Sequence, residues 1–334
     1  MTDAAVTIEY PRKTRLLHFA VRNAATISMA IVVLLLIVAF AIGNDAFLTV
    51  LNLRNLARQM APALIVAVAM AFVITSGQID LSVGSLLALA AAGAAELLRL
   101  GVNEFAVLLA VLIGGAIVGG LQGYVSAYQG VPSFIVTLAG LSIIRGFALL
   151  ITEGFSIPIK SGLFETLGRT TVFGLAVPAW IAIGTVLLGV LVMNFTPIGQ
   201  YINGIGSNEE AVRRSGVNTR AIKLGVMAGS GMAAAAAGIL VAGRLGSGSA
   251  NSGVAFELAV ISAVVLGGTD LFGGRGTVIG TLIGVMLIAI VGNGLILMGV
   301  SPFWTPIVSG ILLLAAVWAN LRVFSRLPRL ARYR

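Results

Sequence analysis

The sequence contains no cysteine and one histidine, His18, among its 334 residues. Without cysteine the chain has no disulfide, no thiolate ligand and no thiol nucleophile. His18 lies in a basic N-terminal tail, away from any apolar run, which argues against a histidine-based triad or a histidine-rich metal site. No G-x-x-x-x-G-K-[ST] motif is present, so ATP binding through a P-loop is excluded. The sequence therefore predicts no catalytic residue, no metal and no cofactor.

Charged residues are also scarce, at 10% of the chain, whereas hydrophobic residues make up 58%. A soluble domain has roughly 25% charged residues. Apolar runs of about 20 residues favour membrane-spanning helices over barrel strands, which alternate over roughly ten residues. The predicted fold class is therefore all-α, a polytopic transmembrane helical bundle whose surroundings are the lipid bilayer.

The hydropathy pattern predicts about ten membrane segments, with eight to ten crossings. Most approach the length that spans a hydrocarbon core of about 30 Å. The eighth is shorter and is interpreted as a half-helix or a broken one. The segments are 24–42, 59–75, 81–98, 105–128, 133–152, 174–195, 222–243, 256–268, 277–298 and 302–320.

The basic residues are distributed unevenly between these segments. If all the segments cross, 14 of the 21 lysines and arginines lie on one side and six on the other. The positive-inside rule then puts both termini and residues 207–216 in the cytoplasm. The charge falls in gaps between spans and forms no patch on a globule, so no nucleic-acid partner is predicted. The six basic residues on the outer side are Arg54, Arg58, Arg99, Lys160, Arg169 and Arg244.

The most polar stretch is "SNEEAVRRSG", residues 207–216, which lies between the sixth and seventh segments. Asn208 can accept a free backbone N–H at a helix start, and the two glutamates after it suit the positive end of the helix dipole. Two arginines occupy the last turn, and Gly216 can take the left-handed conformation that ends a helix. This pattern predicts a capped two-turn helix; a solvated connector is the alternative.

Three stretches resemble the ribose/xylose/galactose-type permeases, the sugar-importing branch of the bacterial ABC importers. The first, "GIGSNEEAVRRSGVNTRAIKLGVMAGSGMAAAAAGIL" at 204–240, resembles the permease loop that contacts the ATPase. The others are "ITSGQIDLSVGSLLAL" at 74–89 and "ELAVISAVVLGGTDLFGGRGTVIGTLIGVMLIAIVGNGLILMGVSPFW" at 257–304. The resemblance extends from about Phe47 to Asn320. The charged helix departs from the expected pattern "NEAATRLSG" through its paired glutamates and arginines, which bears on which ATPase it accepts.

This resemblance implies a bacterial inner-membrane permease subunit, not itself an enzyme, that imports a monosaccharide or related polyol by alternating access. The expected partners are a separate ABC ATPase, a periplasmic or extracellular sugar-binding protein, and a second permease copy, expected as a homodimer. The expected organisation is a basic tail at 1–23, one permease domain at 24–320 with a coupling loop at 196–221, and a basic tail at 321–334. The ATPase-coupling residues are Asn208, Glu209, Glu210, Ala211, Arg213, Arg214 and Gly216.

Two motifs place an aspartate beside glycines. Asp80 in "TSGQIDLSVG" has two compatible interpretations: it lines the passage or gate, or it caps the third span. Asp270 in "LGGTDLFGGRG" is expected in a tight turn, with Arg275 free to pair with it or to face the cytoplasm. The residues predicted to line the passage or its gate are Asn55, Gln59, Gln78, Asp80, Ser82, Asp270 and Asn293.

Several interpretations remain open for the polar residues. Polar side chains such as Asn52, Ser133, Thr137 and Asn293 are also expected to form hydrogen bonds between helices. The outer basic residues could meet acidic patches on a binding protein or contact lipid headgroups. The alternative function is an ion-gradient-driven secondary transporter with Asp80 and Glu96 as coupling carboxylates. It leaves the charged helix unexplained.

Overall fold

The structure, a computed structural model, describes residues 24–301 and isolated positions between 303 and 318. Eleven helices lie in this part of the chain, with four strands of two residues each. The predicted helical class is therefore confirmed. The tails 1–23 and 321–334 lie outside the described residues, and the segment 302–320 is described only at isolated positions.

The elements are numbered in chain order. The helices are α1 (Ala24–Gly43), α2 (Val50–Thr75), α3 (Val83–Arg99), α4 (Glu104–Gln129), α5 (Ser133–Thr152), α6 (Gly162–Arg169), α7 (Val177–Phe195), α8 (Pro197–Arg214), α9 (Thr219–Leu245), α10 (Phe256–Leu266) and α11 (Val278–Leu297). The strands are β1 (Ile157–Pro158), β2 (Thr171–Val172), β3 (Leu175–Ala176) and β4 (Ser247–Gly248).

Seven of the described helices are long and apolar enough to cross a membrane: α1, α2, α4, α5, α7, α9 and α11. Helix α3, with 17 residues, is rich in alanine and largely buried, with α9, α4 and α5 among its neighbours. Helix α10 has only 11 residues, so the prediction of a short eighth segment is confirmed.

Helix α2 begins earlier than the hydropathy pattern predicts, at Val50 and not at residue 59. Thr49 caps it by accepting the Asn52 N–H at 3.3 Å. The prediction was wrong because the first turns carry Arg54, Asn55 and Arg58, which lower the local hydropathy without breaking the helix. These polar residues therefore lie on a rigid helix and not in a loop.

Helices α4 and α9 pack against each other along glycines that recur every four residues on α4. A Cβ added at Gly119 would lie 2.3 Å from the Met227 carbonyl oxygen, and one at Gly115 would lie 2.6 Å from the Gly231 carbonyl oxygen. Only glycine permits this backbone approach. We call this contact the glycine seam. Residue 115 lies beside 231–235 and residue 123 beside 224–227, so the two helices are antiparallel.

The seam gives the bundle two distinct ends. The charged-helix end holds residues 209–214, the start of α9 and the end of α4. The hairpin end holds the end of α9, the helix α6 and the short strands. There β1 pairs with β4, β2 pairs with β3, and the buried Phe164 of α6 packs against Gly243.

Residues 246–266, which we call the broken segment, run from the hairpin end back into the bundle. The chain follows α3: a Cβ at Gly248 would lie 2.2 Å from the Ala91 carbonyl oxygen, and one at Gly253 2.6 Å from that of Gly84. Helix α10 then continues toward the charged-helix end, where Gly267 contacts the Gly280 backbone. Non-helical backbone at this depth needs partners within the protein.

Candidate functional site

The charged helix is set apart from the rest of α8 by Asn208. Asn208 has non-helical backbone angles (φ −161°, ψ 91°) inside the element Pro197–Arg214, and its side-chain oxygen accepts the Ala211 N–H at 3.0 Å. Gly216, at φ +89°, follows the helix in the left-handed conformation. The predicted cap and stop are therefore confirmed.

The charges of this helix are paired locally. Glu210 accepts hydrogen bonds from Arg213 and, at 2.8 Å, from Arg214 Nε. Glu209 pairs with Lys223 at the start of α9 at 3.0 Å. Because the carboxylate of Glu210 and both arginines remain exposed, they form a rigid charged surface at the tip of the bundle.

The base of the charged helix is fixed to the bundle through backbone contacts. A Cβ at Gly206 would lie 1.9 Å from the Thr75 carbonyl oxygen, at the end of α2. The same carbonyl accepts the Gly274 N–H at 2.9 Å, and Ser207 Oγ donates to the Gly274 carbonyl at 3.4 Å. The base of the charged helix is therefore in direct contact with α2 and with the loop between α10 and α11.

That loop contains the second aspartate motif and forms the predicted tight turn. Gly273 and Gly274 have φ values of +91° and +81°, which glycine adopts readily. Asp270 accepts the Phe272 N–H at 3.0 Å through its side chain, and its own N–H donates to the Arg275 carbonyl. Among the described residues no Asp270–Arg275 ion pair forms, so of the two possibilities for Arg275 the pairing is not found.

Asp80 lies in the loop before α3 and links three helices. Its carboxylate accepts from Ser82 Oγ at 2.7 Å, from Ser82 N–H at 2.9 Å and from Ser230 Oγ on α9 at 2.7 Å. Gln122 on α4 donates to Ser82 Oγ at 3.0 Å. Burial raises the pKa of Asp80, and the hydrogen bonds from Ser82 and Ser230 oppose this effect.

The interpretation of Asp80 as the helix cap was wrong. Helix α3 begins after Ser82, which occupies the N-cap position without a side-chain cap hydrogen bond. Asp80 instead accepts the N–H two residues ahead, the pattern of an Asx turn. Asp80 lies two positions before the residue at the N-cap. Asp80 is 1% exposed, so here it bridges packed helices.

Two cavities contain predicted passage residues. At the charged-helix end, a cavity of about 600 Å³ is lined by Gln78, Ser133, Glu209 and Lys223, among others. The buried Nε2 of Gln78 has no hydrogen-bond partner in the described structure. Toward the hairpin end, a second cavity of about 460 Å³ lies between α2, α9, α10 and α11. We call it the outer cavity.

Gln59 and Asn293 both line the outer cavity. Asn293 also forms a reciprocal pair with Asn52, with both amide hydrogen bonds at 2.9 Å, so the predicted helix–helix role is confirmed. Ser133 and Thr137 instead join α5 to the loop before α3, because they bond the backbone N–H and carbonyl of Ile79. Asn55 is half-buried on α2, one turn before Gln59.

Arg145, on α5, holds the broken segment. Its guanidinium donates to the carbonyls of Ala250, of Ser252 at 2.8 Å and of Gly253 at 3.3 Å. Ser252 and Gly253 also line the outer cavity. In the sequence, Arg145 is only a basic residue within the predicted segment 133–152. Its position among apolar residues was the available signal.

The carboxylate of Glu96, the other candidate for ion coupling, lies at the hairpin end of α3. It forms a bidentate pair with Arg99 at 2.7 and 2.8 Å on the protein surface. No group of three or more acidic or histidine side chains suited to a metal ion occurs in the described part of the chain.

Comparison with known proteins identifies the family of the chain. Residues 52–317 match the family described as the permease component of branched-chain amino acid transport systems. The chain belongs to this family. The resemblance of the three sequence stretches, which contain the charged helix and the two aspartate motifs, predicts the permease class, and that prediction is confirmed. No solved structure matches the chain significantly.

Curated relatives cover nearly the whole chain. It is 40% identical over 298 residues to the ribose import permease protein RbsC of Haemophilus influenzae, covering 87% of this chain and 91% of the relative. It is 35% identical over 289 residues to the L-arabinose transport system permease protein AraH of Escherichia coli, covering 86% and 88%. The probable ABC transporter permease protein YphD of E. coli is 35% identical over 333 residues, covering 99% and 100%.

Membership of this permease family defines the class of the protein. The chain is a multi-pass permease of the bacterial inner membrane and is not itself an enzyme. An ABC permease of a binding-protein-dependent importer works with an ATPase and a substrate-binding protein. The apolar helices described above agree with this assignment.

Proposed function

We propose that the chain imports a monosaccharide or a related polyol, and that a partner ATPase binds the charged helix. The similarity to permeases named for ribose and L-arabinose supports the solute class. The exposed, capped helix seated on α2 and α9 carries the coupling role. The residues proposed to contact the ATPase are Asn208, Glu209, Glu210, Ala211, Arg213, Arg214 and Gly216.

The charged-helix end is proposed to face the cytoplasm. The excess of basic residues in the gaps on that side supports this orientation. Counting α3, the broken segment and residues 302–320 as one crossing each, in addition to the seven long helices, gives ten crossings, with both termini cytoplasmic. The outer cavity then opens toward the side from which a binding protein delivers solute.

The proposed coupling path begins at the charged helix. Its base touches Thr75 at the end of α2, and Glu209 is tied to Lys223 at the start of α9. Ser230, two turns further along α9, holds Asp80. A movement of the charged helix would therefore move α2 and α9 together, which supports alternating access with Gln59 and Asn293 on the outer part of the passage. A homodimer is proposed on the resemblance to the sugar-importing permeases.

Charge reversal at Glu210 tests the coupling role. Glu210→Arg would place a third guanidinium beside Arg213 and Arg214, and we expect ATPase co-purification to fall about tenfold, equivalent to about 1.4 kcal/mol. The matched control is Glu165→Arg, the same reversal on exposed α6 at the hairpin end. Membrane insertion of both variants should stay intact.

Undiminished ATPase recovery with Glu210→Arg would contradict the coupling role. The class of energy source is tested separately by reconstitution with the ATPase and binding protein. ATP-dependent uptake is the expected result. Uptake that follows an ion gradient without ATP would instead favour the secondary transporter.

A further inference from the structure

Three arginines that are far apart in the sequence converge at the hairpin end. Arg58 lies on α2, Arg169 ends α6, and Arg244 lies near the end of α9. Arg58 Nη2 donates to the Arg169 carbonyl at 3.1 Å, and Arg169 Nε donates to the Arg244 carbonyl at 2.9 Å. We call these residues the arginine cluster.

The arginine cluster has no acidic partner within the described structure. The four ion pairs found there involve other residues. Arg58 Nε is buried without a hydrogen-bond partner, and the charge of Arg58 repels that of Arg244. Like charges held together in a partly buried place cost free energy, which an anion between them would recover.

Arg244 is the member of the arginine cluster that reaches the outer cavity. It lines that cavity together with Gln59, Ser252 and Asn293, while much of the remaining wall is apolar and includes Phe256. Among the described residues no other charged side chain lines the outer cavity. An arginine in a membrane-embedded cavity indicates a functional site, and its natural partner there is an anion.

We propose that the outer cavity binds its solute through an acidic group held by Arg244, whose positive charge lies beside that of Arg58. Within the proposed class, the solute would then be a derivative that carries an acidic group, such as a sugar acid or a sugar phosphate. This inference rests on the proposed function, because it places the outer cavity on the solute's route.

The chemistry of the lining fits such a molecule. A guanidinium presents paired N–H donors that match a carboxylate or phosphate. The Gln59 carboxamide and the Ser252 hydroxyl can bond to hydroxyl groups, and Phe256 offers an apolar face, the usual mixture in a small-molecule site.

Two probes that differ only in the acidic group test the proposal. The purified chain in neutral detergent is heated with sodium D-gluconate or with D-glucitol, each at 10 mM and matched with NaCl for ionic strength. We expect gluconate to raise the melting temperature by about 2 °C or more, because a ligand of the folded state stabilises it. Glucitol should have little effect.

Variants assign the effect to the arginine cluster. Arg244→Gln should abolish the gluconate shift, and Arg58→Gln, which removes the neighbouring positive charge, should reduce it. Arg99→Gln is the matched control: it removes an arginine at the same end, one already paired with Glu96 on the surface, and it should keep the shift. Two separate cluster variants keep the test valid if one of them fails to fold.

The remaining outcomes would overturn the inference. A gluconate shift that equals the NaCl effect, or that persists in both cluster variants, would do so. So would stabilisation by phosphatidylglycerol alone, which would assign the cluster to a lipid phosphate, or loss only of binding-protein association. ATP-driven uptake of a neutral sugar that is unchanged by Arg244→Gln would refute this inference while leaving the proposed function intact.

Discussion

The glycine seam and the broken segment satisfy the hydrogen bonds of their backbone in opposite ways. In the seam, α4 and α9 are intact helices whose backbone groups are bonded internally, so the helices need only close contact. Gly119 and Gly231 allow it. The broken segment leaves carbonyls free, and Arg145 donates to three of them.

The difference teaches where a charged side chain belongs inside a membrane protein. Lipid offers no hydrogen bonds, so an unbonded carbonyl costs several kcal/mol. Arg145 therefore lies where the backbone is open. The seam joins the two ends of the bundle rigidly, whereas the broken segment forms part of the outer cavity wall. We expect the seam to determine assembly and Arg145 to determine the shape of the cavity.

The largest effect is expected in the seam. Gly119→Ala would put a methyl group 2.3 Å from the Met227 carbonyl oxygen, so α4 and α9 must separate. Overpacking of this kind costs about 1–3 kcal/mol, and we expect the monodisperse yield in size-exclusion chromatography to fall several-fold. Gly114→Ala is the control, because nothing lies within 4 Å of its added Cβ. Equal yields of the two variants would contradict the seam.

An intermediate effect is expected from Arg145→Gln, which leaves the carbonyls at 250–253 short of donors. Because the native chain has no cysteine, Ser252→Cys reports exposure of this turn through maleimide labelling. We expect labelling to accelerate about tenfold in the Arg145→Gln background, equivalent to about 1.4 kcal/mol of local opening. Ser156→Cys, exposed at the hairpin end, should label at an unchanged rate. Unchanged labelling at residue 252 would show that Arg145 does not hold the turn.

The smallest effect is expected at the Asn52–Asn293 pair, where both helices are intact yet the contact is polar. A double-mutant cycle with alanine at each position should give a coupling of about 0.6–1.7 kcal/mol, measured by unfolding in mixed detergent. Asn52→Ala alone should cost more than Asn293→Ala, because Asn52 also donates to the Phe47 carbonyl at 2.8 Å. Strictly additive effects would refute the pairing.

Local signals in the sequence predicted much of the candidate site. The cap at Asn208 and the stop at Gly216 depend on neighbours within four residues, and the structure has both. Asp80 was assigned to a cap because the sequence could not show that Ser230, 150 residues away, accounts for its second oxygen. The start of α2 was missed because hydropathy does not distinguish a polar helical turn from a loop.

The sequence by itself determined the helical membrane class, the permease family and the charged helix. The helical class follows from hydropathy and the charged helix from capping, which act over one segment or a few residues, whereas the permease family follows from the resemblance of three stretches to known permeases. Only the tertiary structure decided that Arg58, Arg169 and Arg244 meet, and that Arg145 closes a break in another segment. Such contacts depend on how helices distant in sequence pack, so the sequence can place Arg145 among apolar residues but cannot identify its partners.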